Sequence, residues 1–355
     1  MTDRVVEDDT VTAPSGQAAI PAPLRRTGPK LARFRDFALL PVIALLLLVG
    51  FIASPNFLTS NNMLAVLQQS TELSLLVLGE ALILLVARMD LSLESTIGLA
   101  PVIAIWLIAP ATGHARFLGL GLELPGWTAV PVTLLAGVLI GLLNGLLVLK
   151  VRLNAFIVTL GMLITLRGLQ IAITEGQSVF ELPDSFKYLG RASIDLGQVS
   201  IPVSVPICLI LFAIGIVALS WYRHGRSLYA IGGNADAARA AGIRAERVVW
   251  IVFVIGSLLA ALGGVLFVGR LGSIAATQGQ GMIFQVFAAA VIGGVSLNGG
   301  RGSLFGAFTG VIVLRLIDNV MNFIGIPPVW EQFLDGVIIL AALVISRFAA
   351  GEAQD

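Results

Sequence analysis

Residues Ala129 to Leu149 read AVPVTLLAGVLIGLLNGLLVL, an unbroken run of uncharged residues in which the apolar positions show no alternation. A helix needs about 20 such residues to cross the ~30 Å hydrocarbon layer. A barrel strand would alternate apolar and polar residues over about ten positions. The run therefore predicts a transmembrane helix, and it is one of several. The chain has 355 residues, 57% of them hydrophobic and 12% charged, with a mean hydropathy of +0.95. A soluble domain carries about a quarter charged residues. The composition predicts an all-α, polytopic transmembrane helical bundle.

Apolar helices are expected near 37–53, 64–87, 95–110, 129–149, 155–174, 203–221, 248–268, 284–297, 304–323 and 330–347. That makes about ten spans. The eighth run is short and broken by glycine, so eight to ten is the range. Residues 1–36, rich in Pro, Ala and acidic residues, predict a disordered tail with no apolar core of a secretory signal. Residues 37–347 form the membrane domain, and 348–355 a second short tail.

Basic residues orient the bundle, because cytoplasmic loops collect Lys and Arg. If the N-terminal tail is cytoplasmic, 16 of the 22 Lys and Arg residues fall on that side, including Arg88, Lys150, Arg152 and the loop 222–247. Arg116, Lys187, Arg191 and Arg270 fall outside, and Arg167 and Arg315 lie within spans. Both termini are then cytoplasmic, 222–247 is a cytoplasmic loop and 175–202 a periplasmic one. Neither loop is long enough for a nucleotide-hydrolysing domain.

Three interruptions of the apolar pattern carry the functional expectations. The first is RSLYAIGGNADAARAAGI, Arg226 to Ile243. Asn234 suits an N-cap, Ala235–Ala241 has high helix propensity, and Gly242 suits the left-handed residue that closes a helix. Two turns do not stand alone in water. The segment is expected either to dock on a second protein or to lie on lipid headgroups.

The second interruption is RMDLSLEST, Arg88 to Thr96. Asp90 is expected to cap a helix starting at Leu91, with Glu94 favoured by the positive helix end and pairing with Arg88. The alternative is that this break lines a solute path, since irregular backbone at depth is tolerated beside protein or water. The third is GGVSLNGGRGS, Gly293 to Ser303. It lacks the Lys-Ser/Thr pair of a phosphate loop, so it is read as a turn that lets helices pack closely. Broken or re-entrant segments are thus expected near 88–96 and 293–303, and their positions hint at an internal parallel repeat.

Polar residues inside spans must face protein or water. Glu80, Asp90, Ser92, Asn144 and Arg167 are the candidates for a translocation path, whereas Arg315 and Asp318, three residues apart, are expected to neutralise each other. The lone Cys208 forms no intrachain disulfide, and His114 and His224 have no metal-ligand spacing. No enzyme constellation and no nucleic-acid footprint is present. An ion-coupled secondary transporter fits the same charged residues, with Glu80, Arg167 and Asp318 on an ion route.

The motifs resemble those of a known family. GRSLYAIGGNADAARAAGI, FLTSNNMLAVLQQ at Phe57–Gln69, NAFIVTLGMLITLRGL at Asn154–Leu169 and VIGGVSLNGGRGSLFGAFTGVIVL at Val291–Leu314 are similar to segments of sugar-type ABC importer permeases. That is the ribose, xylose and autoinducer-2 group of inner-membrane, binding-protein-dependent systems. The resemblance covers roughly Phe51 to Ser346. It implies a multi-pass permease in the bacterial inner membrane for a small polar solute, a monosaccharide such as ribose or xylose. It also implies a second permease copy or paralogue, an external solute-binding protein, and a cytoplasmic ATPase that alone uses ATP. The chain would then bind no cofactor and catalyse no reaction. Gly232, Gly233, Asn234, Ala238, Arg239 and Gly242 would form the ATPase-coupling surface. Around Asp90 the chain departs from the family, which usually has glycines there. Nucleosides and branched-chain amino acids stand as alternative solutes.

Overall fold

A computed structural model describes residues 37, 39–111, 119–197, 199–330, 333–334, 336–337 and 340. The expected tails 1–36 and 348–355, His114, Arg116, Arg347 and most of the expected span 330–347 lie outside the described residues.

Twelve α-helices have both bounds among the described residues, and the described residues 333–334, 336–337 and 340 are helical as well. The twelve are α1 (Leu40–Ala53), α2 (Ser60–Leu85), α3 (Leu93–Ile108), α4 (Ala129–Leu149), α5 (Ala155–Thr174), α6 (Asp184–Arg191), α7 (Ser204–Trp221), α8 (Arg223–Gly233), α9 (Ala235–Ala240), α10 (Ala245–Leu271), α11 (Met282–Ile292) and α12 (Leu304–Phe323). The only strands described, β1 (Ser193–Leu196) and β2 (Val199–Pro202), pair antiparallel between α6 and α7. Gly126–Leu149, α5, α7, α10 and α12 are long and apolar enough to span a membrane, and α1, α3 and α11 are shorter apolar helices. The chain is an all-α, multi-pass membrane protein.

Helix α10 is the centre of the bundle, packed by α2, α3, α4 and α6. Water-driven burial does little between helices in lipid, so close approach of small residues carries the packing. A methyl placed on Gly79 of α2 would sit 3.0 Å from the Gly256 Cα of α10, and one on Gly141 of α4 would sit 2.7 Å from the Phe253 carbonyl. Gly141→Val is therefore expected to destabilise the fold by about 2 kcal/mol through overpacking. Gly161→Val on α5, where nothing lies within 4 Å, should leave thermal unfolding in detergent unchanged.

Three interruptions among the described residues bring helix starts together. After Leu85 the chain turns back, and the Asp90 amide reaches the Glu80 carboxylate at 3.3 Å. Glu80 lies five residues before the end of α2, about 7.5 Å along its axis, so the turn that leads into α3 folds back alongside the last turns of α2. A second interruption, Gly272 to Gly281, leads from α10 to α11, whose first amides bond Glu94 in the first turn of α3. Helix α11 therefore begins at the same depth as α3. The third, Gly293 to Ser303, joins α11 to α12.

Three expectations need correction. The run 284–297 ends as helix at Ile292, because Gly294 takes a φ of 81° that an L-residue continuing the helix would not adopt. The interruption Gly272–Gly281 falls in what the hydropathy pattern marks as a connecting loop. It also changes the repeat. A long helix, an interruption and a half-helix occur as α2–α3 and again as α10–α11. Gly79 meets Gly256 while Gly263 lies by the Glu72 carbonyl, so α2 and α10 are antiparallel. The repeated unit is inverted, not parallel, and 293–303 is not the counterpart of 88–96.

Candidate translocation path and coupling surface

Glu80, Asp90, Ser92 and Asn144 come together as one buried cluster, each 0% exposed. The Asp90 Oδ1 accepts from the Ser92 amide at 2.9 Å and from its hydroxyl at 2.6 Å. Asn144 of α4 donates to Asp90 Oδ2 at 3.1 Å and to Ser92 Oγ at 2.8 Å. Asp90 thus closes a turn and does not cap a helix at Leu91: α3 begins at Leu93, after Ser92, which makes no side-chain cap bond. None of the ion pairs among the described residues includes Glu80 or Asp90. The cluster offers hydrogen-bonding groups held rigidly between α2, α3 and α4.

Arg167 lies in a different cluster. Its guanidinium pairs with Glu94 at 3.3 Å and donates to the Gln278 carbonyl at 2.6 Å and to Gln170 Oε1 at 3.3 Å. The other Glu94 oxygen accepts from the amides of Gly281 and Ile283, each at 3.1 Å. The expected Arg88–Glu94 pair does not form. Arg88 donates to the Ala87 carbonyl, and Glu94, in the first turn of α3, faces α5 and α11. Its carboxylate sits at the positive ends of two half-helices and satisfies amides that lipid would leave bare. Gln170 donates to the carbonyls of Ala275 and Gln278, so the backbone of the interruption is anchored from α3 and α5.

Sequence reading does not find Glu94, Gln170 and Gln278 as partners of Arg167. The one local signal is TQGQG at Thr277–Gly281, a polar, Gly-rich run directly before an apolar one, in which Gly279 and Gly281 take φ of 88° and 86°. Further outward, Glu72 pairs with Arg270 at 2.7 Å, and Arg315 pairs with Asp318 at 2.9 Å as their spacing predicts.

At the end where α2 terminates, the basic loop is more helical than expected. The two-turn helix appears as α9, with Asn234 Oδ1 accepting from the Ala237 amide at 2.9 Å and Gly242 at a φ of 83°. It is preceded by an eleven-residue helix, α8, whose last residues are Gly232 and Gly233. A side chain on Gly232 would run into the Leu85 carbonyl and the Gly300 amide. Gly300 donates to the Leu85 carbonyl at 3.1 Å, and the Tyr229 hydroxyl donates to the Gly302 carbonyl at 3.0 Å. The α8–α9 unit is thereby fixed to the ends of two interruptions, 86–92 and 293–303. Ala238 is the buried residue of α9, while Asp236 and Arg239 pair on its exposed face and Gly233 and Gly242 stand in open space.

Comparison with known proteins completes the picture. Residues 62–343 match the family described as branched-chain amino acid transport system / permease component. The chain is 34% identical over 318 residues to the ribose import permease protein RbsC of Escherichia coli strain K12, covering 86% of this chain and 92% of that protein. It is 31% identical over 313 residues, with the same coverage, to the corresponding RbsC of Haemophilus influenzae. It is 35% identical over 305 residues to the autoinducer 2 import system permease protein LsrC of Enterobacter sp. strain 638, covering 85% of this chain and 84% of that one.

Proposed function

We propose a function from one premise: the chain belongs to the family of branched-chain amino acid transport system permease components. Within it, the chain is the membrane-spanning permease of an ATP-driven importer in the bacterial inner membrane, and its solute is a small neutral sugar such as ribose or xylose. The observation that carries the reading is the 34–35% identity, over almost the whole bundle, to ribose and autoinducer 2 import permeases. On this reading a binding protein delivers solute at the outer face. A cytoplasmic ATPase docks on the exposed Gly233, Asn234, Arg239 and Gly242, while Gly232 and Ala238, of the same segment, face the bundle and fix the unit to it. A second copy or a paralogue of the chain completes the pore.

The mechanism follows from the anchoring of the α8–α9 unit. The ATPase closes on ATP and displaces α9. Because Gly232 abuts Leu85 and Gly300, the displacement reaches the turns that precede α3 and α12. The half-helices then tilt, and the path lined by Glu80, Asp90, Ser92, Asn144 and Arg167 opens to the other side. Alternating access needs two arrangements of similar energy, and helix contacts made of glycine and alanine can exchange at little cost. Neutral solutes need hydrogen-bonding groups and no counter-charge, in keeping with the ion pairing of Arg167 by Glu94.

A second reading, a branched-chain amino acid as solute, is favoured only by the family's description. The test is purification of the tagged chain from its own cells in gentle detergent, with mass spectrometry of what accompanies it. Recovery of an ABC-type ATPase is the expected result. A chain that always purifies alone, under conditions that keep it folded, overturns the importer reading.

A further inference from the structure

Gln278 combines two properties that conflict in a purely structural residue. Its backbone is fixed, with the carbonyl taken by Arg167 at 2.6 Å and by Gln170 at 3.5 Å. Its residue is 4% exposed, yet neither Oε1 nor Nε2 of the side chain has a hydrogen-bond partner. Native folds leave very few buried polar groups unpaired, and each such group asks for a reason. The hydroxyls of Ser74, Ser204 and Ser257, Asn144 Oδ1, Glu72 Oε2 and Arg315 Nε are also unpaired, but Ser74 and Ser257 lie inside helices and can turn onto the carbonyl of the preceding turn, and Asn144, Glu72 and Arg315 are bonded through their other polar atoms. Gln278 lies in the non-helical stretch and has no such recourse. A methionine would fill the same volume without the penalty.

The location indicates what the amide is for. It sits where α3 and α11 both begin, beside the cluster that ties α3, α5 and α11 together. Glu94 is committed to Arg167 and two backbone amides, and Arg167 to Glu94, Gln170 and a carbonyl. A charged solute would find no free counter-charge in this cluster. A primary amide offers a donor and an acceptor side by side, which matches two adjacent hydroxyls, each of them donor and acceptor. We infer that the Gln278 side-chain amide is a hydrogen-bonding station for a neutral, polyhydroxylated solute at the junction of α3 and α11. This rests on the importer reading and names a specificity-determining residue for it.

The experiment uses the complete importer, the chain with its own ATPase and binding protein, in proteoliposomes with labelled ribose at saturating binding protein. Three variants are compared: Gln278→Met, Gln278→Asn, and Gln280→Met at the exposed neighbouring glutamine. Loss of one such hydrogen-bonding station is expected to lower ribose uptake by Gln278→Met about tenfold. ATP turnover should stay within about twofold and the melting temperature should not fall. Gln278→Asn, which keeps donor and acceptor, should retain more uptake than Gln278→Met, and Gln280→Met should behave as wild type. Wild-type uptake of ribose with an unaffected Gln278→Met overturns the inference alone. So does a parallel fall in uptake, turnover and melting temperature, which would mark a structural residue. A wild-type importer that moves leucine and not ribose overturns the sugar reading, and the inference with it.

Discussion

Arg239→Glu is expected to abolish ATP-driven uptake while leaving the unfolding of the membrane domain unchanged. The side chain pairs with Asp236 across one turn of α9, and both residues are largely exposed, 56% and 91% by side chain. Such surface pairs contribute little to folding. The helix is held by other means: the Asn234 cap, buried Ala238 and the bond from the Ile243 amide to the Ala238 carbonyl. What Arg239 supplies is a cation on a face whose other residues, Ala237, Ala240, Ala241 and Gly242, are small enough for a partner to approach closely. Reversing a charge inside such an interface costs about 2–5 kcal/mol, which corresponds to at least ~30-fold weaker docking. Uptake and ATPase co-purification should fall together by that factor. A variant that keeps its ATPase and its uptake would remove α9 from the coupling surface.

Glu94→Ala carries the largest expected cost in stability. The substitution strands Arg167 in a site where its side chain is 12% exposed, and it leaves the Gly281 and Ile283 amides without their acceptor. Breaking a buried pair from one side costs about 3–5 kcal/mol, whereas replacing both partners by apolar groups is often close to neutral. The single variant should therefore melt well below wild type in detergent. Glu94→Ala combined with Arg167→Met should recover part of the loss, short of the whole because the two amides stay unpaired. A double variant less stable than the single would show that Arg167 holds the Gln278 carbonyl independently of Glu94.

What the sequence reveals is what local physics determines. The run Ala129–Leu149 appears as one helix within the expected bounds, because length and apolarity alone set it. Asn234 and Gly242 bound α9 as their side-chain chemistry requires. Arg315 and Asp318 pair because three residues of helix bring them together. Where the partner is distant in sequence, the reading fails. Glu94 pairs with Arg167, 73 residues away, and not with Arg88, because Glu94 lies within α3 while Arg88 lies in the turn before it. Helix α8 was hidden because its apolar positions are few and its stability comes from Leu228 and Ile231 packing on the bundle. The Gly272–Gly281 interruption carries no hydrophobic signal, since its backbone is satisfied by side chains from α3 and α5. The cluster of Glu80, Asp90, Ser92 and Asn144 was legible as a set of intramembrane polar residues. Their mutual geometry was not.

Uptake of labelled ribose by proteoliposomes containing the chain, its ATPase and its binding protein tests ATP-driven import most directly. The prediction is uptake that requires ATP on the side of α9 and binding protein on the opposite side, and that continues when ionophores collapse every ion gradient. Uptake by the chain alone, without ATP and abolished by an ionophore, would contradict it and identify an ion-coupled transporter instead.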